Sequence, residues 1–365
     1  MTKKIDEEMV IKQNSKEEDK AMENVIKNRS EILFLYDVTN ANPNGDPNDE
    51  NKPRIDEETG INIVTDVRLK RTIRDYLHDF KQQEIFVREI ELDDGSIQDA
   101  KLRAKDFLKD VDIKELGTMT LNEQKQLMSS AILKQCIDVR LFGATIPIEL
   151  KAKKEKKKVT KESEEIETKE QTSSLTFTGP VQFKFGYSLH KVDLQYIKGT
   201  GAFASKEGSE QKTFREEYIL PYSLIAFYGI INENAAVYTG LNEMDVNLLI
   251  EAIWKGTKNL ISRTKAGQMP RLLIRVMYKQ NENFHIGELD KLIKLNSDID
   301  DKKIRDVTEF NLDITLLSQK ILSYKEKIEK IFYKVDPRLK IKLDGKNISL
   351  EQGFIGISCE KINIE

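Results

Sequence analysis

Four stretches of this chain carry side chains that could hold a polyanion. The first is Asn40 to Arg54, Asn-Ala-Asn-Pro-Asn-Gly-Asp-Pro-Asn-Asp-Glu-Asn-Lys-Pro-Arg, whose amides, Asn42, Lys52 and Arg54 could line a phosphate path. Equally, its Asn, Pro and Gly residues could form a turn cluster that satisfies its own backbone. The second is Thr65 to Arg74, where Arg68, Lys70, Arg71 and Arg74 crowd the start of an expected helix. The positive end of a helix macrodipole disfavours cations there unless an anionic ligand compensates. The third, Ser262 to Arg271, gathers Arg263, Lys265, Gln268 and Arg271 around Gly267. No acidic residue occurs from Thr257 through Lys279. The fourth, 190–217, mixes Phe203 and Phe214 with Lys198, Lys206, Lys212 and Arg215. An apolar wedge between cations could separate bases while the cations hold the backbone. The plainer readings are solvated charges, a basic connection and a satellite core.

Catalytic constellations are thin by comparison. His78, His190 and His285 have no metal-ligand spacing to one another, and no GxSxG, HExxH or Walker-type motif occurs. Asn42, Asn44, Asp46 and Asn48 follow the first oxygen positions of a calcium loop. Pro47 and Pro53 then stand where that loop requires glycine and glutamate. A metal-dependent nuclease using Asp37 or Asp46 is the remaining enzymatic alternative.

The elements that must position these groups follow from patterning. Glu31 to Thr39 is an apolar, β-branched and aromatic run stopped by Asn and Pro, as in a buried strand. Thr65 or Asp66 can cap a helix whose inward stripe is Leu69, Ile73, Tyr76, Leu77 and Phe80. A hairpin is expected over 86–97, with helices near 100–110 and 121–138. Further strands are expected at 175–189, 222–231 and 272–278, with a helix at 243–258. Ile314, Leu317, Ile321, Tyr324, Ile328 and Ile331 predict one long amphipathic helix, and 353–359 a closing strand. The fold class is α+β.

Residues 1–29 read as a flexible tail and order should begin at Glu31. Lys151 to Ser173 holds eight lysines and six glutamates with almost nothing apolar, and reads as a disordered charged loop. The 365 residues carry a formal net charge of −3, so any nucleic-acid surface must be local. The two cysteines, Cys136 and Cys359, are too few for a disulfide framework, and no apolar run is long enough for a membrane span. A cytoplasmic protein without cofactor or metal is expected.

The chain resembles the Cas-seven backbone family of type I CRISPR Cascade complexes. The resemblance rests on Phe34 to Pro47, Pro53 to Gly60, Thr65 to Arg71 and Asp138 to Ala144. It continues through Thr178 to Phe183, Ser188 to His190, Thr213 to Ala226 and Ser262 to Arg271, and more narrowly it is similar to the type I-B (Csh-two-like) branch. It implies an RRM-like (ferredoxin-like) palm over 30–365, with a helical insertion at 83–150 and a protruding thumb hairpin at 190–217. It also implies a non-enzymatic subunit, stacked head-to-tail along a CRISPR RNA beside other Cascade subunits, with target DNA reached through guide pairing. The loop after the first strand and the first helix would grip phosphates, meaning Asn42, Lys52, Arg54, Arg68, Lys70, Arg71 and Arg74. The first strand lacks the aromatic pattern of a base-stacking sheet, so backbone clamping is expected.

Overall fold

The computed structural model describes residues 24–109, 119–151, 170–204 and 212–364. In chain order the elements are β1 (Ser30–Ala41), β2 (Gly45–Asp46), β3 (Lys52–Pro53), β4 (Ile61–Val64) and α1 (Asp66–Lys81). Next come α2 (Ala100–Asp106), α3 (Leu121–Gln135), α4 (Ile137–Phe142), β5 (Gly143–Lys151) and β6 (Glu170–Thr178). Then follow β7 (Val181–Phe183), β8 (Gly186–Lys191), β9 (Gln195–Ala204), β10 (Lys212–Ile231), α5 (Glu233–Thr239) and α6 (Glu243–Glu251). A π-helical turn, Ala252–Gly256, extends α6 before β11 (Gln268–Tyr278). The C-terminal part holds β12 (Lys294–Asn296), β13 (Asn311–Asp313), α7 (Thr315–Ser323), β14 (Ile328–Val335), β15 (Ile341–Leu343), β16 (Lys346–Ile348) and β17 (Cys359–Lys361). The mixed α+β class expected from the sequence is observed.

The chain divides into two compact units. The larger comprises 27–76, 181–232 and 247–365. Its sheet runs β17-β14-β11-β1-β10-β8-β4, with β7 and β9 also pairing with β10. Central β1 is antiparallel to both β10 and β11. Its Ile32, Leu33, Phe34 and Leu35 are all fully buried, because a strand covered on both faces cannot alternate with polar residues. Leu33 and Leu35 join a core with Leu272 and Ile274 of β11 and the C-terminal Phe310, Leu317 and Phe354. Phe34 and Tyr36 stack with each other, and Tyr36 stacks with Phe227. All three rings are buried, so this sheet offers no open aromatic platform there. At the start of β1, buried Glu31 accepts hydrogen bonds from Tyr228, Tyr278 and the amides of Ile286 and Gly287.

The smaller unit spans 77–180 and 233–246, with the N-terminal stretch through Ile26. Here α2, α3 and the β5–β6 hairpin enclose Phe86, Phe107, Met128, Ile132 and Ile146. Gly143 and Gly179 let the ends of that hairpin cross the end of α4, since a Cβ on Gly179 would lie 2.0 Å from the Phe142 carbonyl carbon.

Several expectations need correction. Order starts before Glu31: Val25 and Ile26 are buried, and the Ile26 amide donates to Leu241 O at 3.0 Å. The rest of the expected tail, 1–23, lies outside the described residues. Lys151 and Glu170 pair at the end of the β5–β6 ladder, so the charged loop is narrower than 151–173, and 152–169 lie outside the described residues. Phe80 is 59% exposed although its spacing continues the inward stripe of α1. Periodicity counts positions without knowing where the covering surface ends. The hairpin expected over 86–97 reduces to a turn at Asp93-Asp94-Gly95 and one bridge, Glu91 with Ile97.

The long helix expected over 314–331 ends at Ser323, and Ile328 and Ile331 belong to strand β14. A register shift opposite Met277 and Tyr278 inserts a residue, placing Ile328 and Ile331 in the core three positions apart. That bulge imitates helical spacing. The expected last strand at 353–359 begins later, after a 3-10 turn, as β17 beside β14.

Candidate nucleic-acid interface

The C-terminal end of β1 is where the four stretches meet. Asn42 is buried and ties two of them together. Its amide donates to Thr264 O at 2.8 Å, and its side-chain nitrogen donates to Asn51 O at 2.7 Å. Lys265 Nζ donates to the Asn42 carbonyl, and the Thr39 amide to Gly267 O at 3.3 Å. Gly267 has φ +97, and a Cβ there would meet Thr39 O at 2.9 Å. Only glycine allows this approach.

Asn44 then joins the loop to the helix, accepting from the Thr65 amide and hydroxyl, each at 2.9 Å. Thr65 caps α1 by accepting from the Arg68 amide at 3.3 Å. The loop's amide side chains thus satisfy the backbone, as the turn-cluster reading anticipated. The root of the β9–β10 hairpin closes the arrangement. Lys52 sits 5.1 Å from the Tyr218 ring centroid, Tyr218 donates to Glu50 at 2.8 Å, and Arg263 donates to Glu217 at 3.2 Å. An open groove of about 810 Å³ beside this root is lined by Lys52, Arg54, Thr65, Phe185 and Tyr187.

The expected cations do not behave alike. Lys52 pairs with Asp49 at 2.8 Å, Arg54 with Asp46 at 2.5 Å, Lys70 with Asp66 at 2.9 Å and Arg71 with Asp75 at 2.6 Å. The 65–74 cluster is therefore not one uniformly positive face. Surface pairs of this kind are worth about 0–1 kcal/mol, so a phosphate can compete for Arg71 at little cost. Arg74 lies on the same helix and has interactions of its own.

Arg68 and Lys265 differ, because neither forms an ion pair with a carboxylate among the described residues. Arg68 donates to Thr72 at 3.0 Å, while its Nε is buried without an acceptor. Burial lowers the Arg68 pKa and Asp75 counters it. Burial, followed by the charge of Arg68, pushes the Lys265 ammonium down to about 8. Two cations that repel each other in a partly desolvated site form an arrangement completed by an anion.

Besides Asn42, which is 2% exposed and whose side-chain nitrogen is taken by Asn51 O, two more expected site residues lie inside the protein. Arg271 is 4% exposed and bound to Asp37 and Asp336, so it is a structural residue of the sheet. Its basic loop looked uniform in sequence because both carboxylates come from distant strand ends. Gln268 is 5% exposed, opposite Val38, with its Nε2 unpartnered. Asp37, offered for the nuclease alternative, is fully buried beneath Arg271 and Tyr222. Asp46 is engaged by Arg54 and the Asn48 amide. Among the described residues no cluster of three His, Cys, Asp or Glu could hold a metal.

Of the thumb residues, Lys198 stands 3.7 Å from Glu216. The backbones of Phe203, Lys212 and Phe214 lie on β9 and β10, with Phe214 opposite Thr200 and Lys212 opposite Ala204. Lys206 lies outside the described residues. Sequence reasoning missed Tyr218 and Glu50 and offered Asn44 only as a calcium-loop oxygen, because their roles are set by partners far away in the chain.

Residues 28–315 match the family model of the CRISPR-associated protein Cas7. The chain belongs to the Cas7 family. A CRISPR-associated protein Cas7 of Haloferax volcanii is 33% identical over 341 residues, covering 91% of this chain and 94% of that one. Two solved structures are also similar. One is a chain of a CRISPR RNA-guided surveillance complex, pre-nicking, at 12% identity and TM-score 0.47, covering 87% of this chain and 96% of that one. The other is a chain of a CRISPR RNA-guided surveillance complex at 13% identity and TM-score 0.42, covering 87% and 95%.

Proposed function

We propose that this Cas7 family chain coats a CRISPR RNA by its sugar–phosphate backbone, leaving the guide bases free to pair with target DNA. It acts as a repeated, head-to-tail subunit of a type I-B Cascade complex beside other Cascade subunits in the cytoplasm, and it is not an enzyme. Such contacts are heterologous and do not close, so copies extend along the RNA. Sequence specificity rests with base pairing, and the protein supplies charge and shape.

The observation that carries this reading is the junction at the end of β1. Two cations without carboxylate partners among the described residues sit there between two loops, a hairpin root and a helix start. Burial of β1 on both faces favours backbone clamping over base stacking. We read the order β11-β1-β10-β8, with α1 after β1 and α6 before β11, as an RRM-like palm. The twenty-residue β10, which leaves the sheet to pair with β9, is then the root of the thumb. Among the described residues no helix is long and apolar enough to cross a membrane.

The test is co-purification followed by reconstitution on RNAs of increasing length. Assemblies should grow in proportion to RNA length and dissolve in high salt. Particles of constant size, or a protein that retains no RNA, would overturn the reading.

A further inference from the structure

Seven of the candidate cations have a carboxylate within ion-pair distance: Lys52, Arg54, Lys70, Arg71, Lys198, Arg263 and Arg271. Among the described residues Arg68 and Lys265 do not, and the charge of Arg68 bears on Lys265. Around them buried donors lack acceptors, although the buried acceptor Asn42 Oδ1 also stands without a donor. Arg68 Nε has no acceptor, and Lys265 Nζ has only the Asn42 carbonyl. Gln268 Nε2 is also unpartnered, and Gln268 lies opposite Val38 in the strand register, two residues beyond Tyr36. Tyr36 in turn lies within electrostatic reach of Arg68. Buried donors without acceptors are costly, and a phosphate oxygen accepts several at once.

On the RNA-coating reading, we propose that Arg68 and Lys265 close on one and the same backbone phosphodiester, and that Lys265 takes up a proton when it binds. The phosphate is the shared counter-ion that the described residues do not provide. The groups facing Lys265 are Arg68 from α1 and the Asn42 carbonyl at the end of β1. Its own loop adds Arg263, which Glu217 of β10 neutralises. Arg68 is faced by Tyr36, Arg71 and Asp75. Among the described residues no carboxylate pairs with Lys265 directly, and its ammonium is held down to about 8 by burial and by Arg68. An anion between the two cations reverses that repulsion and raises the lysine again. Affinity is therefore full at low pH and falls as pH rises through the value of the empty site.

The experiment measures binding of an oligoadenylate to the full chain by fluorescence anisotropy at constant ionic strength. Adenine has no proton to lose in the range used, so the nucleic acid stays constant. Between about pH 7 and about pH 9 the affinity should drop roughly tenfold, the linkage of one proton. Lys265→Arg, which keeps its charge throughout, should abolish that slope, whatever its affinity at neutral pH. Calorimetry in buffers of different ionisation enthalpy, run near the upper end of that range, should register uptake of about one proton in the parent chain and none in the variant. A slope that survives in Lys265→Arg would overturn the proton coupling and leave RNA coating intact. Absence of any RNA binding by the parent chain would overturn both.

Discussion

Arg271 on β11 donates from Nε to Oδ2 of Asp37 on β1 across 2.7 Å, and from Nη1 to Asp336 across 3.0 Å. Both partners of the shorter contact are almost fully enclosed. Arg271→Met would strand the Asp37 charge inside the sheet at a cost of about 3–5 kcal/mol. Urea unfolding should reveal this, with the Asp37→Asn, Arg271→Met double variant losing less than the single. A single variant within about 0.5 kcal/mol of the parent would show that the pair is not what holds the strand ends together.

Arg68 should matter more to RNA than its neighbours on α1. Arg68→Gln removes a contact worth about 1.5–3 kcal/mol, a roughly tenfold to hundredfold loss of affinity. It should also lower the salt slope of binding by about 0.7, the share of one phosphate on a single strand. Lys70→Gln should cost less, because Asp66 already neutralises Lys70. Anisotropy titrations over a salt series decide the matter, and equal losses in both variants would contradict the assignment.

His190 links folding to pH. The Leu224 amide donates to its Nε2 at 3.2 Å, while Nδ1 lies 2.9 Å from Lys191 O and 3.2 Å from Asp301 O. That pattern requires a neutral ring, and burial holds its pKa below the ordinary histidine value. The unfolded chain therefore takes the proton first. Stability is full above about 6.5 and declines as pH falls below it, by at most about 1.4 kcal/mol per unit. His190→Gln should flatten this segment of the stability–pH curve. An unchanged curve would mean that another group carries the acid response.

The crossing of Gly143 and Gly179 predicts a steep cost in the smaller unit. Gly179→Ala would push a methyl into the backbone of Phe142 and Gly143, destabilising by about 3 kcal/mol or more. Gly240→Ala meets no neighbour within 4 Å and strains only its φ of +73. Thermal unfolding of the two variants should separate clash from strain, and equal midpoints would refute the crossing.

Sequence alone determined the elements whose signals are local. The apolar run at 31–39 demanded a strand covered on both sides, and the stripe from Leu69 to Leu77 demanded a helix with one face inward. The same local reading failed where a bulge imitated helical spacing at Ile328 and Ile331. It failed again at Phe80, where nothing in the sequence marks the edge of the covering surface. The family resemblance also lay in the motifs themselves, and the family match agrees with it.

What tertiary structure decided was charge pairing. In sequence, Arg68, Lys70, Arg71, Arg263, Lys265 and Arg271 are cations of one kind. Folding gave most of them carboxylates, some from the next turn of a helix and one from a strand more than two hundred residues away, as Asp37 is from Arg271. Coulomb energy depends on distance and burial, and neither can be read from position along a chain. Only when β1, α1 and the 262–268 loop come together does it emerge that Arg68 and Lys265 are left for each other.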